Sequence, residues 1–352
     1  MKSINKETAC LVKNLDKSFA EKLLERHFEL QPKMRDKYGE KQIHHYIEDT
    51  KYHLLYLAEA IATNAPVLFN EYLAWAKTFF HDLPVSDSEI LKNLELMKEE
   101  LQNELPPEMG EITSKFIIDG IDYYKSKSPF IPSYITENNP YKGFAHKYLR
   151  YLVIGDKKSA HDLIMETVEN GTPIKDLYLK VFQVTQQETG RLWQMNKLSV
   201  AQEHFITAAT QLIMAQLYPH LFSSTNNGKK IIVTCVEGEL HEIGARMVAD
   251  IFEMEGWNSY YFGANTPMTS LLRSIKTFIP EVVAISTTMT FNLSALAKMI
   301  EQIKIQDVAN EIKILVGGYP FLLADGLWNE IGADNFAPDA LTAVEIAENI
   351  SN

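Results

Sequence analysis

The chain has 352 residues, which is more than one typical domain contains and predicts two or three domains. Its hydrophobic content of 46% is enough for sizeable cores, whereas no apolar run reaches the roughly eighteen residues of a transmembrane helix. The net charge of −12, without a basic cluster, argues against nucleic-acid binding and is explained by solubility. The two cysteines suit a reducing compartment and the first residues lack an apolar signal region, so we expect a cytoplasmic protein without a membrane partner.

Residues 1–127 have the pattern of an almost wholly helical domain. Apolar residues recur at helical spacing in 42–62, and a second helix with a proline near its start is predicted for 66–79. Asp87 or Ser88 is the expected cap of the helix that follows. We therefore expect a first domain built from helices alone.

Several histidines occur in this first domain, and His45, Asp49 and His53 are four residues apart in a predicted helix. Such spacing places side chains on one helix face. The simplest interpretation is that these are solvated histidines or histidines at the rim of the core. The alternative is that the domain holds a flat chromophore or tetrapyrrole against its aromatic residues, with His45 and His53 as candidate contacts.

A proline-containing linker separates this domain from a second helical one. Residues 128–143 contain three prolines and several turn formers, which is typical of a boundary between units. Residues 144–222 have the pattern of a small four-helix bundle. Its helices are predicted around 148–153, 160–170, 174–193 and 200–221. The polar residues 223–228 then form a linker into the last domain, at 229–352.

The last domain opens with an apolar strand pattern at 230–235, followed by a loop that contains His241. Glu239 lies two residues before this histidine and Gly244 three after it. Strand, loop and helix form the first unit of a doubly wound α/β fold, in which ligands lie beyond the carboxyl ends of the strands. A carboxylate that holds an imidazole is a known way to orient a metal ligand. On this feature alone, a surface or capping histidine is the commoner explanation.

Further predicted strands end in turn, hydroxyl or glycine residues. The pattern at 260–267 predicts a strand that runs into a turn, and 282–290 predicts a buried strand that ends in hydroxyls. The strand at 312–318 ends in Gly317 and Gly318, where a ligand could approach the backbone closely. Because a helical stretch follows each strand, we expect a parallel sheet.

Three motifs therefore occur in order within 229–352: Glu239-x-His241-x-x-Gly244, Ser286-Thr287-Thr288 and Gly317-Gly318. As a set they resemble the cobalamin-binding domain of corrinoid proteins. The resemblance implies that His241 displaces the cofactor's own base and becomes the lower axial ligand of cobalt. The nucleotide tail of cobalamin would then pass Ser286 toward the paired glycines. Further cofactor contacts are implied for Leu240, Glu242, Ile243, Gly244, Gly263 and Thr288.

One residue departs from the family pattern. The family usually has Asp where this chain has Glu239, so the carboxylate has an extra methylene. We expect its contact with His241 to be kept.

A second motif lies in the predicted bundle, where Trp193 is followed after nine residues by Glu203 and His204. In an isolated bundle, ordinary core and surface roles would explain them. Beside a cobalamin domain, the motif resembles the upper-face motif of adenosylcobalamin-dependent photoreceptors. The resemblance implies that Trp193 packs on the adenosyl group and Glu203 hydrogen-bonds it. It also implies that His204 and Val200 line the cavity above cobalt. The chain lacks the helix-turn-helix domain of the light-sensing regulators and has Gln194 where some of them have a second cobalt-ligating histidine.

The first domain adds a further resemblance. A helical, degenerate globin-like domain ahead of a cobalamin module looks like the photocobilins, which pair cobalamin with biliverdin. Residues 46–57 are the stretch that we assign to this resemblance, with His45 and His53 as candidate bilin contacts.

Three functional hypotheses follow. The first is a light sensor in which photolysis of adenosylcobalamin changes domain docking or the state of a homo-oligomer and signals to a separate protein. The second is a corrinoid methyl carrier that serves separate methyltransferases. The third is cobalamin storage or delivery. The sequence contains no independent catalytic constellation that we can identify, so we do not expect the chain itself to be an enzyme.

Overall fold

The computed structural model describes residues 2–221, 225–306 and 312–350. The chain divides into two units, of which the first comprises Met1–Pro129 with Leu323–Glu330. The second comprises Phe130–Leu322 with Ile331–Asn352. The boundary at Pro129 falls in the predicted linker 128–143. The predicted linker at 223–228 is described only from Thr225 onward, because residues 222–224 lie outside the described residues.

The first unit is helical, as its sequence pattern predicts, and prolines and one capping box mark several helix starts. Proline stands at the start of the helices Pro32–Lys37, Pro66–Phe80 and Pro107–Ser126, where its missing N–H breaks no helical bond. The predicted cap at Asp87 or Ser88 is wrong by one or two residues, because the cap is Ser86, which exchanges hydrogen bonds with Glu89. The helices are α1 Lys2–Lys13, α2 Lys17–Leu30, α3 Pro32–Lys37, α4 Glu40–Ala62, α5 Pro66–Phe80, α6 Asp87–Glu104 and α7 Pro107–Ser126.

The histidines of α4 lie in different environments, contrary to the expectation that they share one face. His45 is exposed, whereas His53 is buried with its Nδ1 2.8 Å from the hydroxyl of Tyr72. The physical reason is the helical period of about 3.6 residues, which rotates positions eight residues apart by roughly 80°. Asp49 is partly buried, and burial, with a smaller effect of Glu48, raises its pKa to about 6. These contacts do not bring His45 and His53 together as one ligand site.

The helical part of the second unit is a bundle of short helices. One predicted helix, at 174–193, is interrupted by a π-helical turn at Tyr178–Phe182, whose residues Tyr178, Val181 and Phe182 are fully buried. Single π-helical turns of this kind occur often at functional sites. The helices are α8 Lys142–Val153, α9 Lys157–Glu169, α10 Ile174–Leu177, α11 Gln183–Gln194 and α12 Val200–Leu217, which a 3₁₀ turn extends to His220.

The α/β part contains the predicted doubly wound parallel sheet. The strands are β1 Lys230–Cys235, β2 Asn258–Tyr261, β3 Val282–Ser286, β4 Lys313–Gly317 and β5 Asn335–Phe336. In the described part of the chain their order in the sheet is β2-β1-β3-β4-β5, and all neighbouring strands are parallel. Sequence patterns identify the region of β1 to β4 but not β5, which has only two residues.

Helices cover this sheet. A 3₁₀ turn at Thr290–Asn292 precedes the helix Leu293–Lys304. The helices are α13 Ile243–Met254, α14 Met268–Phe278, α15 Leu293–Lys304, α16 Tyr319–Leu323, α17 Leu327–Glu330 and α18 Ala340–Ile350. Among the residues that the structure describes, no helix has the length and apolar content needed to cross a bilayer.

Bundle and sheet share one hydrophobic core. Buried side chains of α8, α9, α10, the π-helical turn and α12 belong to the same packed cluster as those of β1, β3 and α13, and partly buried apolar side chains of α11 pack against it. Polar contacts also cross between them: Tyr178 Oη donates to Asp250 at 2.8 Å, Gln211 Nε2 donates to Glu242 at 2.9 Å, and Lys175 Nζ pairs with Glu255. Because a shared core and buried polar contacts must form together, we expect bundle and sheet to fold as one cooperative body.

Candidate functional site

The loop between β1 and α13 turns sharply at the carboxyl edge of the sheet. Gly238 has a φ of +88°, a conformation that favours glycine, and its N–H donates to Asn265 Oδ1 at 2.8 Å. The turn sends Glu239 into the interior, where it is fully buried, and leaves His241 with 57% of its side chain exposed. A buried carboxylate beside a solvent-facing imidazole is the central feature of this edge.

The Glu239 carboxylate connects two loops. Its Oε1 accepts hydrogen bonds from the backbone N–H of His241 at 3.0 Å and from the imidazole Nδ1 at 2.6 Å. Its Oε2 accepts from the backbone N–H groups of Thr288 and Met289, both at 2.8 Å, and from Asn292 Nδ2 at 3.2 Å. The glutamate therefore keeps the expected contact with the histidine, and its length lets it also reach the loop after β3.

This bonding fixes the chemistry of the imidazole. With Nδ1–H donated to a carboxylate, Nε2 has the free lone pair and is the nitrogen available to a metal. The hydrogen bond to Glu239 raises the pKa of His241 against the opposing effect of burial, and Glu203 of the bundle adds to the increase. Burial alone would raise the pKa of Glu239, but its hydrogen bonds with His241 and Met289 lower it to about 2. The carboxylate thus stays ionised and the ring stays oriented.

A cavity of about 270 Å³ begins beside His241 and extends between the sheet and its helices. Its walls are mainly aliphatic, with the polar groups of Ser286 and Thr288 near the strand ends. The π-helical turn contributes Tyr178, and Gln183 follows from α11. Gly244 lies on the wall, and a Cβ added there would meet no atom within 4 Å, so the backbone is open to a ligand. Such a slot suits an elongated, partly apolar group.

The paired glycines of β4 have different roles. Gly317 lines the cavity, as expected. Gly318 has a φ of +112°, and a Cβ there would lie 1.8 Å from the carbonyl oxygen of Thr287. The close approach at Gly318 is thus to the protein's own backbone, although the residue also borders the cavity.

Two residues that are expected to contact a cofactor, Glu242 and Gly263, have protein partners in this structure. Glu242 Oε2 accepts from Tyr261 Oη at 3.1 Å and from Ala264 N at 3.0 Å. A Cβ at Gly263 would lie 3.1 Å from the same oxygen. The carboxylate therefore secures the turn after β2, and neither Glu242 nor Gly263 lines the cavity. Leu240 is 72% exposed beside His241, and Ile243 lies on the cavity wall.

The bundle residues of the predicted upper face differ in exposure. Trp193 is half-buried and packs against the shared core, while Val200 is 51% exposed. His204 is largely exposed, with its Nδ1 2.6 Å from Glu203 Oε2. The side chain of Glu203 is 28% exposed, and Thr207 Oγ1 lies 3.0 Å from its Oε1. None of these four residues lines the cavity beside His241.

Two further residues, which no sequence pattern predicts, hold the carboxylates of the site loop. Asn292 holds Glu239 from a 3₁₀ turn, and Gln211 holds Glu242 from the bundle. Asn292 could have been suspected as a polar residue between the hydroxyl-rich strand end and the apolar start of α15. No pattern in the sequence distinguishes Gln211 from an ordinary surface glutamine.

A single imidazole suits a metal whose other ligands belong to its own macrocycle. In the described ranges, no group of three or more His, Cys, Asp or Glu residues could hold a metal ion by itself. A corrin supplies equatorial nitrogens to cobalt, and the slot beside His241 has the form expected for an attached nucleotide tail. The residues present therefore fit cobalamin.

Comparisons with known proteins agree with this site. Residues 229–346 match the family model of the B12 binding domain, and residues 145–218 match a second B12 binding domain model. These matches indicate a cobalamin-binding protein whose bundle and α/β domain are both parts of the cofactor-binding region.

Two relatives and one solved structure show which cobalamin-binding proteins this chain resembles. The trimethylamine corrinoid protein of Methanosarcina barkeri is 26% identical over 203 residues, which are 55% of this chain and 92% of that protein. The dimethylamine corrinoid protein of the same organism is 26% identical over 204 residues, covering 56% and 93% of the two chains. The structure of the Methanosarcina barkeri monomethylamine corrinoid protein shares the fold, with a TM-score of 0.52 and 21% identity, and covers 58% of this chain and 96% of that one.

Proposed function

We propose that the protein is a corrinoid methyl carrier, the second of the three hypotheses, which binds cobalamin through His241 and exchanges a methyl group with separate methyltransferases. The observation that supports it most directly is the Glu239–His241 pair beside an elongated slot, in a chain similar to corrinoid proteins named for methylamines. The methylamine substrates of those relatives suggest a small methylated amine as the first methyl donor to test.

In this proposal each part of the site has a distinct task. Bound cobalamin would supply a cobalt centre that accepts and releases a methyl group. His241 would hold it from below, and Glu239 would keep the imidazole in the ligating tautomer. The aliphatic slot would enclose the nucleotide tail, excluding water from it and fixing the position of the ring above His241.

The light-sensor hypothesis has weaker support. It depends on Trp193 and Glu203 as contacts of an adenosyl group, and on a bilin near His45 and His53. The relatives favour the carrier instead, because they are corrinoid proteins named for methylamines. An adenosyl ligand, a bilin and a signalling partner accordingly have no place in our proposal.

The test begins with protein loaded with hydroxocobalamin and reduced with titanium(III) citrate. We expect methyl iodide to convert the bound cofactor to its methyl form, as seen in the absorption spectrum. A methylamine methyltransferase should then achieve the same conversion with trimethylamine or dimethylamine as donor. His241→Ala should bind the cofactor poorly, whereas Glu237→Gln, a change at an exposed neighbouring carboxylate, should behave like the unmodified protein.

The same preparation separates the hypotheses. Protein loaded with adenosylcobalamin would be passed over a sizing column before and after green illumination. An altered elution volume, together with failure of methyl transfer from every amine tested, would reject the carrier and favour the sensor. Unchanged elution with successful methyl transfer is the expected result.

A further inference from the structure

The π-helical turn at Tyr178–Phe182 forms part of the wall of the cavity beside His241. The backbone N–H of Gln183 donates to the carbonyl oxygen of Tyr178, five residues earlier, and both residues line the cavity. In an α-helix, positions five apart are rotated by roughly 140° and lie on different faces. A π-helical turn is wider, because its hydrogen bonds join residues i and i+5, and it brings two such positions nearer to one face. The interruption of this helix therefore directs bundle residues toward the slot.

Tyr178 connects the bundle core to α13. Its ring meets the ring of Phe182 edge-on, with 5.4 Å between the centroids, and the centroid of Phe182 lies 5.6 Å from that of Tyr148. The hydroxyl of Tyr178 donates to a carboxylate oxygen of Asp250 on α13 at 2.8 Å. Tyr178 is fully buried and Asp250 is 8% exposed, so water competes little for this hydrogen bond. The Tyr178–Asp250 pair therefore fixes the spacing between the π-helical turn and α13.

The helix α13 forms another wall of the same cavity. Four of its side chains line the cavity at helical spacing: Ile243, Met247, Val248 and Ile251. Asp250 precedes the last of them, and Arg246 of the preceding turn approaches its carboxylate at 3.8 Å. A displacement of α13 would change the width of the slot. Because Asp250 accepts from Tyr178, such a displacement must first break a buried hydrogen bond.

The shared core alone does not account for the Tyr178–Asp250 pair. Bundle and sheet are already held together by apolar contacts, which have no preferred direction. A hydroxyl that donates to a carboxylate requires a narrow range of distances and angles, so it specifies one arrangement of the two walls. Lys175 and Glu255 also join the bundle to α13, but both are partly exposed and neither lines the cavity. The buried pair is therefore the contact suited to set the width of the slot.

We propose that Tyr178 and Asp250 are positioning residues, whose hydrogen bond holds the π-helical turn and α13 at the separation that admits the nucleotide tail of cobalamin. This inference rests on the cobalamin binding in the proposed function and is independent of methyl transfer. It gives the bundle a part in holding the tail in the slot beside His241. The resemblance to photoreceptors, in contrast, places bundle residues only above cobalt.

The experiment compares two corrinoids by calorimetric titration of the full-length protein. Diaquacobinamide has the corrin ring and cobalt of hydroxocobalamin but lacks the nucleotide tail. We expect Tyr178→Phe and Asp250→Ala each to lower the affinity for hydroxocobalamin about tenfold and to change that for diaquacobinamide less than about twofold. Asp250→Asn, which keeps an acceptor oxygen, should lower the hydroxocobalamin affinity about threefold. Tyr178→Phe combined with Asp250→Ala should lose no more than either change alone, because the two residues act through one bond.

The controls separate positioning from folding. Tyr141→Phe removes a bundle hydroxyl that lies 3.2 Å from Asp176 and outside the cavity, so both affinities should stay unchanged. Thermal melts establish that each variant is folded, and Asp250→Asn supplies the test if the larger changes prevent folding.

Three results would overturn the inference or its basis. Loss of affinity by the same factor for both corrinoids, or for neither, in the folded variants would show that the pair does not position the tail. Equal affinities of the unmodified protein for both corrinoids would show that the slot does not hold the tail, while cobalamin binding itself would stand. If the unmodified protein binds neither corrinoid, the proposed function itself fails.

Discussion

Two histidines, one in each unit, show how the partner of an imidazole decides its role. His53 is buried, and its Nδ1 meets the neutral hydroxyl of Tyr72 at 2.8 Å. His241 is half-exposed, and its Nδ1 meets the buried carboxylate of Glu239 at 2.6 Å. Burial lowers the pKa of His53 to about 4, whereas hydrogen bonding to Glu239 raises the pKa of His241. The first is a structural group and the second has the environment of a ligand.

The comparison teaches that a histidine in sequence is ambiguous until its partner is known. Both residues are candidates in the sequence, His241 as a metal ligand because of the motif Glu239-x-His241-x-x-Gly244, and His53 as a bilin contact because of its helical spacing and the resemblance of its domain. A hydroxyl partner leaves a buried imidazole neutral and simply satisfies it. A carboxylate partner makes the ring more basic and fixes one tautomer, which is the usual support of a metal-binding histidine. Substitutions at His241, Glu239 and Tyr72 test this difference, and one at Asp49 tests the effect of burial on a carboxyl of the first unit.

Removal of the imidazole should have the largest effect. We expect His241→Ala to lower the affinity for cobalamin at least 100-fold, or by about 2.7 kcal/mol or more, because no other ring nitrogen of the site loop can replace it. Fluorescence quenching during titration with hydroxocobalamin measures the affinity. His204→Ala, at an exposed histidine of the bundle, should change it less than fivefold, and an equal loss in both variants would contradict the assignment.

Changes at the carboxylate should have the next largest effect. Glutamine has one acceptor oxygen, so Glu239→Gln must leave either the imidazole or the N–H groups of Thr288 and Met289 facing an amide NH₂. We expect a 10- to 100-fold lower cobalamin affinity, the usual cost of losing such a partner. Glu239→Asp should fall in the same range, since the shorter side chain cannot reach both loops. Calorimetric titration measures these affinities, and wild-type affinity in either variant would refute this prediction.

Loss of the hydroxyl that contacts His53 should change the stability of the protein and not its cobalamin binding. Tyr72→Phe leaves His53 Nδ1 buried without its hydroxyl partner, which should lower the free energy of unfolding by about 2 kcal/mol. Cobalamin affinity should be unchanged. Urea denaturation and cofactor titration test both statements, with His45→Ala on the exposed side of α4 as the matched control. A loss of cobalamin binding in Tyr72→Phe would show that this histidine is also part of the cofactor site.

The smallest expected effect is a change in the pH dependence of stability at Asp49. Burial raises the pKa of this carboxyl to about 6 from 3.8, so the folded state keeps a proton that the unfolded state has lost in this range. The contribution of protonated Asp49 to the free energy of unfolding is fully present below about pH 4 and is lost as the pH rises through 6. Asp49→Asn should remove this dependence and stabilise the protein at pH 7 by about 1 kcal/mol, after allowance for solvent screening. Denaturation midpoints between pH 4 and pH 7 measure it.

The sequence predicts the long strands of this fold better than it predicts the π-helical turn and the two-residue strand β5. The apolar runs of β1, β3 and β4 are buried strands of a parallel sheet, and such runs are strong signals. The π-helical turn at Tyr178–Phe182 leaves no mark in helical spacing, because its extra residue is absorbed within one turn. The strand β5 is too short to show a period at all.

The candidate site was predictable where its residues are close in sequence. Glu239 and His241 are two residues apart, so their hydrogen bond is a local consequence of the loop. Asn292 reaches the same carboxylate from more than fifty residues away, and only the register of β1 against β3 brings it there. Glu242 shows the opposite case, because its position beside His241 suggests cofactor contact, whereas its carboxylate secures the turn after β2.

The buried thiol of Cys235 allows opening of the loop that contains His241 to be measured by labelling kinetics. Its Sγ lies 3.7 Å from the carbonyl oxygen of His241, and burial, with smaller effects of Glu239 and Glu242, raises its pKa to about 12. An alkylating reagent can therefore modify Cys235 only when the loop opens, whereas Cys10 on α1 is exposed and reacts as an internal standard. The ratio of the two alkylation rates measures how often the loop that contains His241 opens, and we expect bound cobalamin to lower the rate at Cys235.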